Sequence, residues 1–269
     1  MKIGLIAGSG DFPLMFARRA AEKGYQVYAV AYKNAADAAL EADVHTIEWC
    51  HVGELERLLA FFAANDIRET VIMGGVTKTV NLSDIKVDKT AISMISGLTE
   101  THDDALLRCF ADFLETRGIT VRASTFLLPE ILARHGCWTK RPPTPAEEKD
   151  IVLGWRIAKA VGRLDVGQCV VVEAGTILAV EAIDGTDATI QRGGKLSAGN
   201  AAVVKVCKPQ QDMRFDIPAV GLTTIESMRA ANIPVLAVEA DRAVVFDRAE
   251  MVAVADRYNM CIVALKDQE

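Results

Sequence analysis

The sequence predicts an α/β protein in two domains, and three observations predict it. Short runs rich in Val and Ile alternate with amphipathic stretches through the first half, the pattern of βα units around a parallel sheet. A proline-rich stretch near the middle breaks that rhythm, and a second set of strand and helix patterns follows it. The chain has 269 residues of which 51% are apolar, enough for two cores of ordinary size.

Residues 3–7, 27–32, 70–73 and 119–123 read as strands of the first half, with helices between them. The clearest helix runs over 103–117, where Leu106, Cys109, Phe110, Phe113 and Leu114 recur at spacings of three and four and form one stripe for burial. Gly118 supplies its stop. Periodicity lapses between Pro129 and Pro145, and Lys140-Arg141-Pro142-Pro143-Thr144-Pro145 continues neither a helix nor a central strand. A linker is expected there, which sets the domains at residues 1–136 and 137–269. Thr144, Pro145, Glu147 and Glu148 then open a helix that should reach about Val161, with a cap, a proline in the first turn and acids against the dipole. Residues 169–173 and 177–183 flank Ala174-Gly175-Thr176 as a hairpin. Further strands are expected at 202–207, 235–239, 243–246 and 261–265, with helices near 223–231 and 248–258. Ligand sites favour domain interfaces and the carboxyl ends of strands, so a cleft between the two domains is the expected site.

Composition removes several function classes. Charged residues make up 25% of the chain and the formal net charge is -6, which gives no electrostatic reason for a nucleic-acid partner. Six cysteines are scattered without a C-x-x-C pair, so neither a zinc ribbon nor a disulfide framework is expected, and the thiols read as small buried apolar groups. The first residues run straight into an apolar strand too short for a secretory leader, and no apolar run approaches the roughly 18 residues of a membrane span. The cytoplasm is the expected compartment.

Four stretches could carry chemistry. Gly8-Ser9-Gly10-Asp11-Phe12-Pro13 follows the first strand and opens a helix, where glycines let backbone N–H groups approach a phosphate. Pro13 stands where a dinucleotide fingerprint has its third glycine, and Tyr32-Lys33-Asn34 stands where that fingerprint has an acid, so an NAD(P)-dependent oxidoreductase is the weaker alternative. Met73-Gly74-Gly75-Val76-Thr77-Lys78-Thr79 repeats the arrangement at a later strand end, although either turn could equally be a plain strand-to-helix connection. Asp103 and Asp104 either oppose a helix dipole, with Asp104 paired to Arg108, or contact metal or ribose. The densest polar cluster comprises Glu181, Thr186, Asp187 and Arg192, then Lys205, Lys208, Gln211, Asp212, Arg214, Asp216, Thr223 and Thr224. Carboxylates interleaved with Lys and Arg suit a site that holds Mg²⁺ against a diphosphate, because hard cations take oxygen ligands and the bases balance the remaining charge.

Long ordered strings carry a resemblance. Lys208-Pro209-Gln210-Gln211-Asp212-Met213-Arg214-Phe215-Asp216-Ile217-Pro218-Ala219-Val220-Gly221, Leu178-Ala179-Val180-Glu181-Ala182, Gly185-Thr186-Asp187-Ala188, Gly162-Arg163-Leu164-Asp165-Val166-Gly167-Gln168, Asp103-Asp104-Ala105-Leu106-Leu107-Arg108 and Gly4-Leu5-Ile6-Ala7-Gly8 resemble the LpxI family of UDP-2,3-diacylglucosamine pyrophosphatases, from the first strand to the last. The resemblance implies a Rossmann-like nucleotide-binding domain over 1–136 and a catalytic mixed α/β domain over 137–269. It implies hydrolysis of UDP-2,3-diacylglucosamine to UMP and 2,3-diacylglucosamine 1-phosphate (lipid X) in lipid A biosynthesis, dependent on Mg²⁺ with Mn²⁺ as the substitute. The family's essential aspartate falls on Asp216, as metal ligand or orienter of water, with Asp212 as a second metal ligand and Asp187 and Arg214 beside it in the catalytic set. Gly8, Ser9, Gly10, Pro13, Gly74, Gly75, Val76 and Lys78 would face the nucleotide. Asp103, Asp104, Thr186, Lys205, Lys208, Gln211 and Thr224 complete the expected substrate contacts. A cytoplasmic homodimer touching the inner membrane through its lipid is implied as well. Ser9 and His102 depart from the family, in which many or some members carry glycine at those positions. A non-catalytic nucleotide-sugar-binding module is the other alternative, and it predicts UDP-sugar binding without release of UMP.

Overall fold

A computed structural model describes residues 1–75, 86–96, 103–215 and 217–267, with only the backbone of Asp103 and Asp104. The chain forms two compact units, one of Met1–Pro129 with Asp212–Asp216 and one of Glu130–Gln211 with Ile217–Glu269.

In the first unit β1 (Lys2–Ala7), β2 (Gln26–Tyr32), β3 (Thr46–Cys50), β4 (Glu69–Met73) and β5 (Thr120–Arg122) form a sheet in the order β3-β2-β1-β4-β5. Every neighbouring pair is parallel. Helices α1 (Phe12–Glu22), α2 (Leu55–Ala64), α3 (Lys89–Ile95) and α4 (Asp103–Glu115) complete it. A parallel sheet must be covered on both faces, which is why β1 and β2 read as continuous apolar runs rather than alternating ones. Ile6, Val30 and Ile72 pack with Leu58 and Phe62 of α2 and with Phe110 and Leu114 of α4. The expected stripe on α4 is therefore divided: Phe110, Ala111 and Leu114 are buried, while Cys109 and Phe113 are only half-covered. Strand order reverses between β1 and β4, and the carboxyl ends of those two strands flank the switch point where open α/β sheets bind ligands.

In the second unit β6 (Gly136–Cys137), β7 (Cys169–Glu173), β8 (Thr176–Val180), β9 (Ala202–Lys205), β11 (Val235–Glu239) and β13 (Cys261–Leu265) follow the order β6-β13-β11-β9-β7-β8, and β10 (Ala219–Val220) pairs separately with β12 (Val244–Val245). Strands β9, β11 and β13 are parallel, whereas β6 and β7 join them antiparallel. One face packs Val170, Val172, Val204 and Val206 with Ile151 and Ala158 of α5 (Pro145–Arg163). The other packs Val171, Val203 and Leu236 with Ile190 of α6 (Gly185–Leu196), Met228 of α7 (Leu222–Ala230) and Met251 of α8 (Arg248–Arg257). The expected start of α5 is a capping box: Thr144 Oγ1 accepts from Glu147 N at 3.3 Å and Glu147 Oε2 accepts from Thr144 N at 2.7 Å.

Two expectations are corrected. Residues 130–143 are built into the second unit rather than forming a linker. Ala133 N donates to Ala243 O and its carbonyl accepts from Asp241 N, both at 2.8 Å, and Arg141 donates to Asn259 O and to both Glu147 oxygens. The two units change over between Pro129 and Glu130, and Arg141 ties the proline stretch to the second unit. The strand expected over 177–183 stops at Val180, and α6, which sequence periodicity missed, begins at Gly185. Its two mid-helix glycines weaken helix propensity, but a Cβ on Gly193 would lie 2.6 Å from Val171. Close packing on the sheet requires what propensity disfavours.

Candidate active site

The two glycine turns meet at the switch point. Gly8 N donates to Met73 O and Ser9 N to Gly75 O, each at 2.8 Å, and Gly75 N donates back to Ser9 O at 3.3 Å. Ser9 Oγ also donates to Gly75 O at 2.8 Å, so the Ser9 departure gives the turns an added tie. A Cβ on Gly8 would stand 2.5 Å from Gly75 O, and one on Gly74 would stand 2.4 Å from Ser9 O with φ at +79°. Both glycines are thus needed first for the turns to pair. Beyond them Gly10 turns the chain at φ +93° into α1, whose first turn contains Pro13. Among the described residues the N–H groups of Gly10 and Asp11 meet no acceptor, and they lie where a helix start offers donors to a phosphate. Val76, Lys78, His102 and Asp216 lie outside the described residues, as do the side chains of Asp103 and Asp104.

Residues 212–216, distant in sequence, belong to this same unit. Arg214 holds them there. Its guanidinium reaches Asp212 at 2.7 Å, Glu115 of α4 at 3.0 Å and Asp112 of α4 at 3.5 Å, and lies 5.6 Å from the Phe215 ring centre. Phe215 packs against the core of the first unit. Burial pushes the Asp212 carboxyl up, but the Arg214 side chain, its backbone N–H and the Arg108 charge outweigh that and hold it below the ordinary range. The hydrogen bond to Asp212 likewise holds the Arg214 proton more tightly than usual, against the opposing effect of burial. Three carboxylates pair with Arg214, which ties the segment to α4. Both Asp212 oxygens accept from Arg214. Among the described residues no group of three His, Cys, Asp or Glu side chains could hold a metal, so they do not by themselves make a Mg²⁺ site.

A second polar group lies in the other unit, where β7 starts and β8 and β9 end. Glu181 accepts from Thr186 Oγ1 at 2.7 Å and from Gln168 N at 3.0 Å, and Lys205, almost buried, donates to Ala219 O at 2.9 Å. Burial first, then the charges of Glu181 and Asp187 against that of Lys205, push the Cys169 thiol between them up to about 12. The structure thus brings Glu181 and Thr186 together, and Lys205 lies opposite Cys169 in the β7–β9 pairing. Other expected contacts have local duties: Lys208 Nζ pairs with Asp165 at 2.7 Å, Gln211 Oε1 accepts from Lys208 N at 2.9 Å, and Thr224 Oγ1 accepts from Gly221 N at 3.4 Å at the start of α7.

Sequence reasoning missed the most deeply buried charge pair among the described residues. Lys159 of α5 lies 2.8 Å from Glu239, the last residue of β11, and also donates to Cys207 O at 3.2 Å, while Glu239 accepts from Cys207 N at 2.7 Å. Together they clamp the peptide through which the chain leaves β9. An acid closing the otherwise apolar Val-Leu-Ala-Val-Glu run was the signal.

A parallel sheet in the order 3-2-1-4-5, with paired glycine turns at its switch point, makes this a Rossmann-like α/β protein, extended by a mixed α/β unit. The LpxI N-terminal domain matches residues 2–131 and the LpxI C-terminal domain residues 134–263, so between them they span the chain. The chain belongs to the LpxI family. The UDP-2,3-diacylglucosamine pyrophosphatase LpxI of Caulobacter vibrioides is 29% identical over 283 residues, covering 100% of this chain and 99% of its own.

Proposed function

We propose that this chain is a hydrolase that splits the diphosphate of UDP-2,3-diacylglucosamine into UMP and 2,3-diacylglucosamine 1-phosphate in lipid A synthesis. The observation that carries the proposal is the end-to-end match to a relative of that name, with neither domain missing. Phosphoanhydride hydrolysis requires a water in line with the scissile bond and donors that spread charge over the phosphoryl oxygens. The Gly10 and Asp11 N–H groups, at the start of α1, are suited to the second task. Asp216 is proposed to orient the water, supported by the anchoring of its neighbours Asp212, Arg214 and Phe215 in the unit that carries the glycine turns. Mg²⁺ is the proposed cation, with Asp216 and Asp212 as its ligands, and it would withdraw charge from the diphosphate. A homodimer and contact with the inner membrane through the lipid belong to the same proposal.

Incubating the protein with UDP-2,3-diacylglucosamine, with Mg²⁺ or with EDTA, tests it. UMP should appear with Mg²⁺ and stop with EDTA, and Asp216→Ala should lose at least about a hundredfold in kcat, the scale of one positioned catalytic group. Absence of UMP from the wild-type protein would overturn the proposal, whereas normal turnover in Asp216→Ala would remove that residue from the chemistry.

A further inference from the structure

We propose that Lys159 and Lys205 are positioning residues for Asp216, gripping the two ends of the segment that carries it; the inference rests on the reading of Asp216 as the residue that orients water. They are the only Lys or Arg residues buried among the described residues. Each donates to a backbone carbonyl, and the two carbonyls bracket one segment: Lys159 Nζ reaches Cys207 O at 3.2 Å and Lys205 Nζ reaches Ala219 O at 2.9 Å. Asp216 follows the first by nine residues and precedes the second by three. At the first end the grip is two-sided, because Glu239, which pairs with Lys159 at 2.8 Å, accepts from Cys207 N at 2.7 Å. At the second end β10 has a strand partner on one side alone. Pro218 O and Val220 O accept from Val244 N and Phe246 N along β12, which turns the Ala219 carbonyl the other way, to Lys205.

Stability alone does not account for these lysines. Taking an ammonium group out of water costs more than a hydrogen bond to a neutral carbonyl returns, and apolar residues of similar volume hold a core as well or better. What a buried, hydrogen-bonded cation adds is a fixed place for the atoms it holds. Among the described residues Lys205 has the Ala219 carbonyl as its acceptor and no carboxylate within ion-pairing distance, so on this account it acts through the backbone. The stretch after Cys207 has fixed points of its own: Gln211 N donates to Lys208 O at 3.0 Å, Gln211 Oε1 accepts from Lys208 N at 2.9 Å, and Gln210 Nε2 donates to Gly162 O at 2.7 Å. A segment held at both ends leaves its aspartate little freedom to shift. A displacement of about 1 Å at a reacting centre costs about a hundredfold in rate, which is the scale on which such a grip matters.

The test compares the full-length wild type with Lys205→Met, Lys159→Met and Lys159→Met/Glu239→Leu, each also made in an Asp216→Ala background, at a temperature where circular dichroism shows the variants folded. In the native background kcat for UMP release from UDP-2,3-diacylglucosamine should fall at least about tenfold in all three. The inhibition constant of UMP should stay within about twofold of wild type, because the glycine turns proposed to hold the nucleotide belong to the first unit. In the Asp216→Ala background the same changes should cost less than about twofold more, since a residue that acts through Asp216 has nothing left to position. Lys159→Met/Glu239→Leu separates position from stability: it leaves no buried charge unpaired, so a purely structural pair predicts that kcat recovers, whereas both Cys207 groups have lost their partners and the inference predicts that it does not. Lys205→Met carries the test if the Lys159 variants do not fold. Equal losses in the two backgrounds, wild-type kcat in folded Lys205→Met, or a raised UMP inhibition constant that marks Lys205 as a substrate contact would each sink the inference, while UMP release by the wild type and its loss in Asp216→Ala leave the proposed function standing. Absence of UMP from the wild-type protein would remove the proposed function and this inference with it.

Discussion

Lys159→Met removes an ammonium group while keeping most of the stem, and it isolates the role of the buried pair in the second unit. In the native protein Lys159 Nζ lies 2.8 and 3.0 Å from the two Glu239 oxygens, 3.2 Å from Cys207 O and 2.9 Å from Asp267. The Lys159 and Glu239 side chains are 10% and 1% exposed, so solvent cannot replace the lost cation at Glu239. Breaking a buried pair from one side costs about 3–5 kcal/mol, because the remaining charge is left without its partner. Arg242 Nε, 3.8 Å from Glu239, offers partial substitution and places the expected loss near the lower bound, about 3 kcal/mol. For a domain of this size that corresponds to a fall of about 10 °C in Tm. Glu239→Gln should cost less, about 2 kcal/mol, since Lys159 keeps the half-exposed Asp267 and the Cys207 carbonyl. The double variant Lys159→Met/Glu239→Leu should be less destabilised than the sum of Lys159→Met and Glu239→Leu measured singly, because no buried charge is left unpaired: Asp267 and Arg242, which lose their partners, are half-exposed. Removing Arg68 from its exposed pair with Asp66 should leave stability within about 0.5 kcal/mol of wild type. Thermal unfolding followed by circular dichroism reads all of these. A fall below about 2 °C in Lys159→Met, or strict additivity in the double variant, refutes the reasoning.

Two further predictions concern the first unit. Gly74→Ala should destabilise it by about 3 kcal/mol, combining strain at φ +79° with a Cβ 2.4 Å from Ser9 O, whereas Gly10→Ala, at φ +93° with no atom within 4 Å of its Cβ, should cost only about 1 kcal/mol. Equal urea midpoints for the two variants would contradict the turn-pairing account. The native Asp212 carboxyl titrates below its ordinary value of 3.8, so its stabilising contribution is present above that pH and lost as pH falls through the lower native value. The stability gap between wild type and Asp212→Asn should therefore be full near neutrality and close in acid; a gap independent of pH would exclude Asp212 as the titrating group.

Much of the fold is legible in the sequence because its signals are local. Apolar runs such as Leu5-Ile6-Ala7 and Val235-Leu236-Ala237-Val238 bury on both faces and read directly as central strands, and Thr144-Pro145-Ala146-Glu147 writes a helix start in four residues. Edge strand β3 was missed because Ile47, Glu48 and Trp49 are only half-buried and show neither alternation nor a continuous apolar run. Helix α6 was missed because Gly193 and Gly194 suit the surfaces they touch rather than the helix they occupy. At the candidate site the glycine turns were legible as turns. Their mutual pairing was not, since it depends on Ser9 and Gly75 meeting across two strands that are adjacent only in the sheet.

The sequence by itself determined which segments could be strands or helices, which turns demanded glycine, and which charges were available. Tertiary structure alone decided where those charges found partners. Arg214 pairs with Glu115 and Asp112 and carries its neighbours into the first unit, and Lys159 finds Glu239 across 80 residues of chain. The physical reason is range: backbone preference and side-chain periodicity are settled between near neighbours, whereas ion pairing and burial depend on distance through space, which exists only once the sheets have formed.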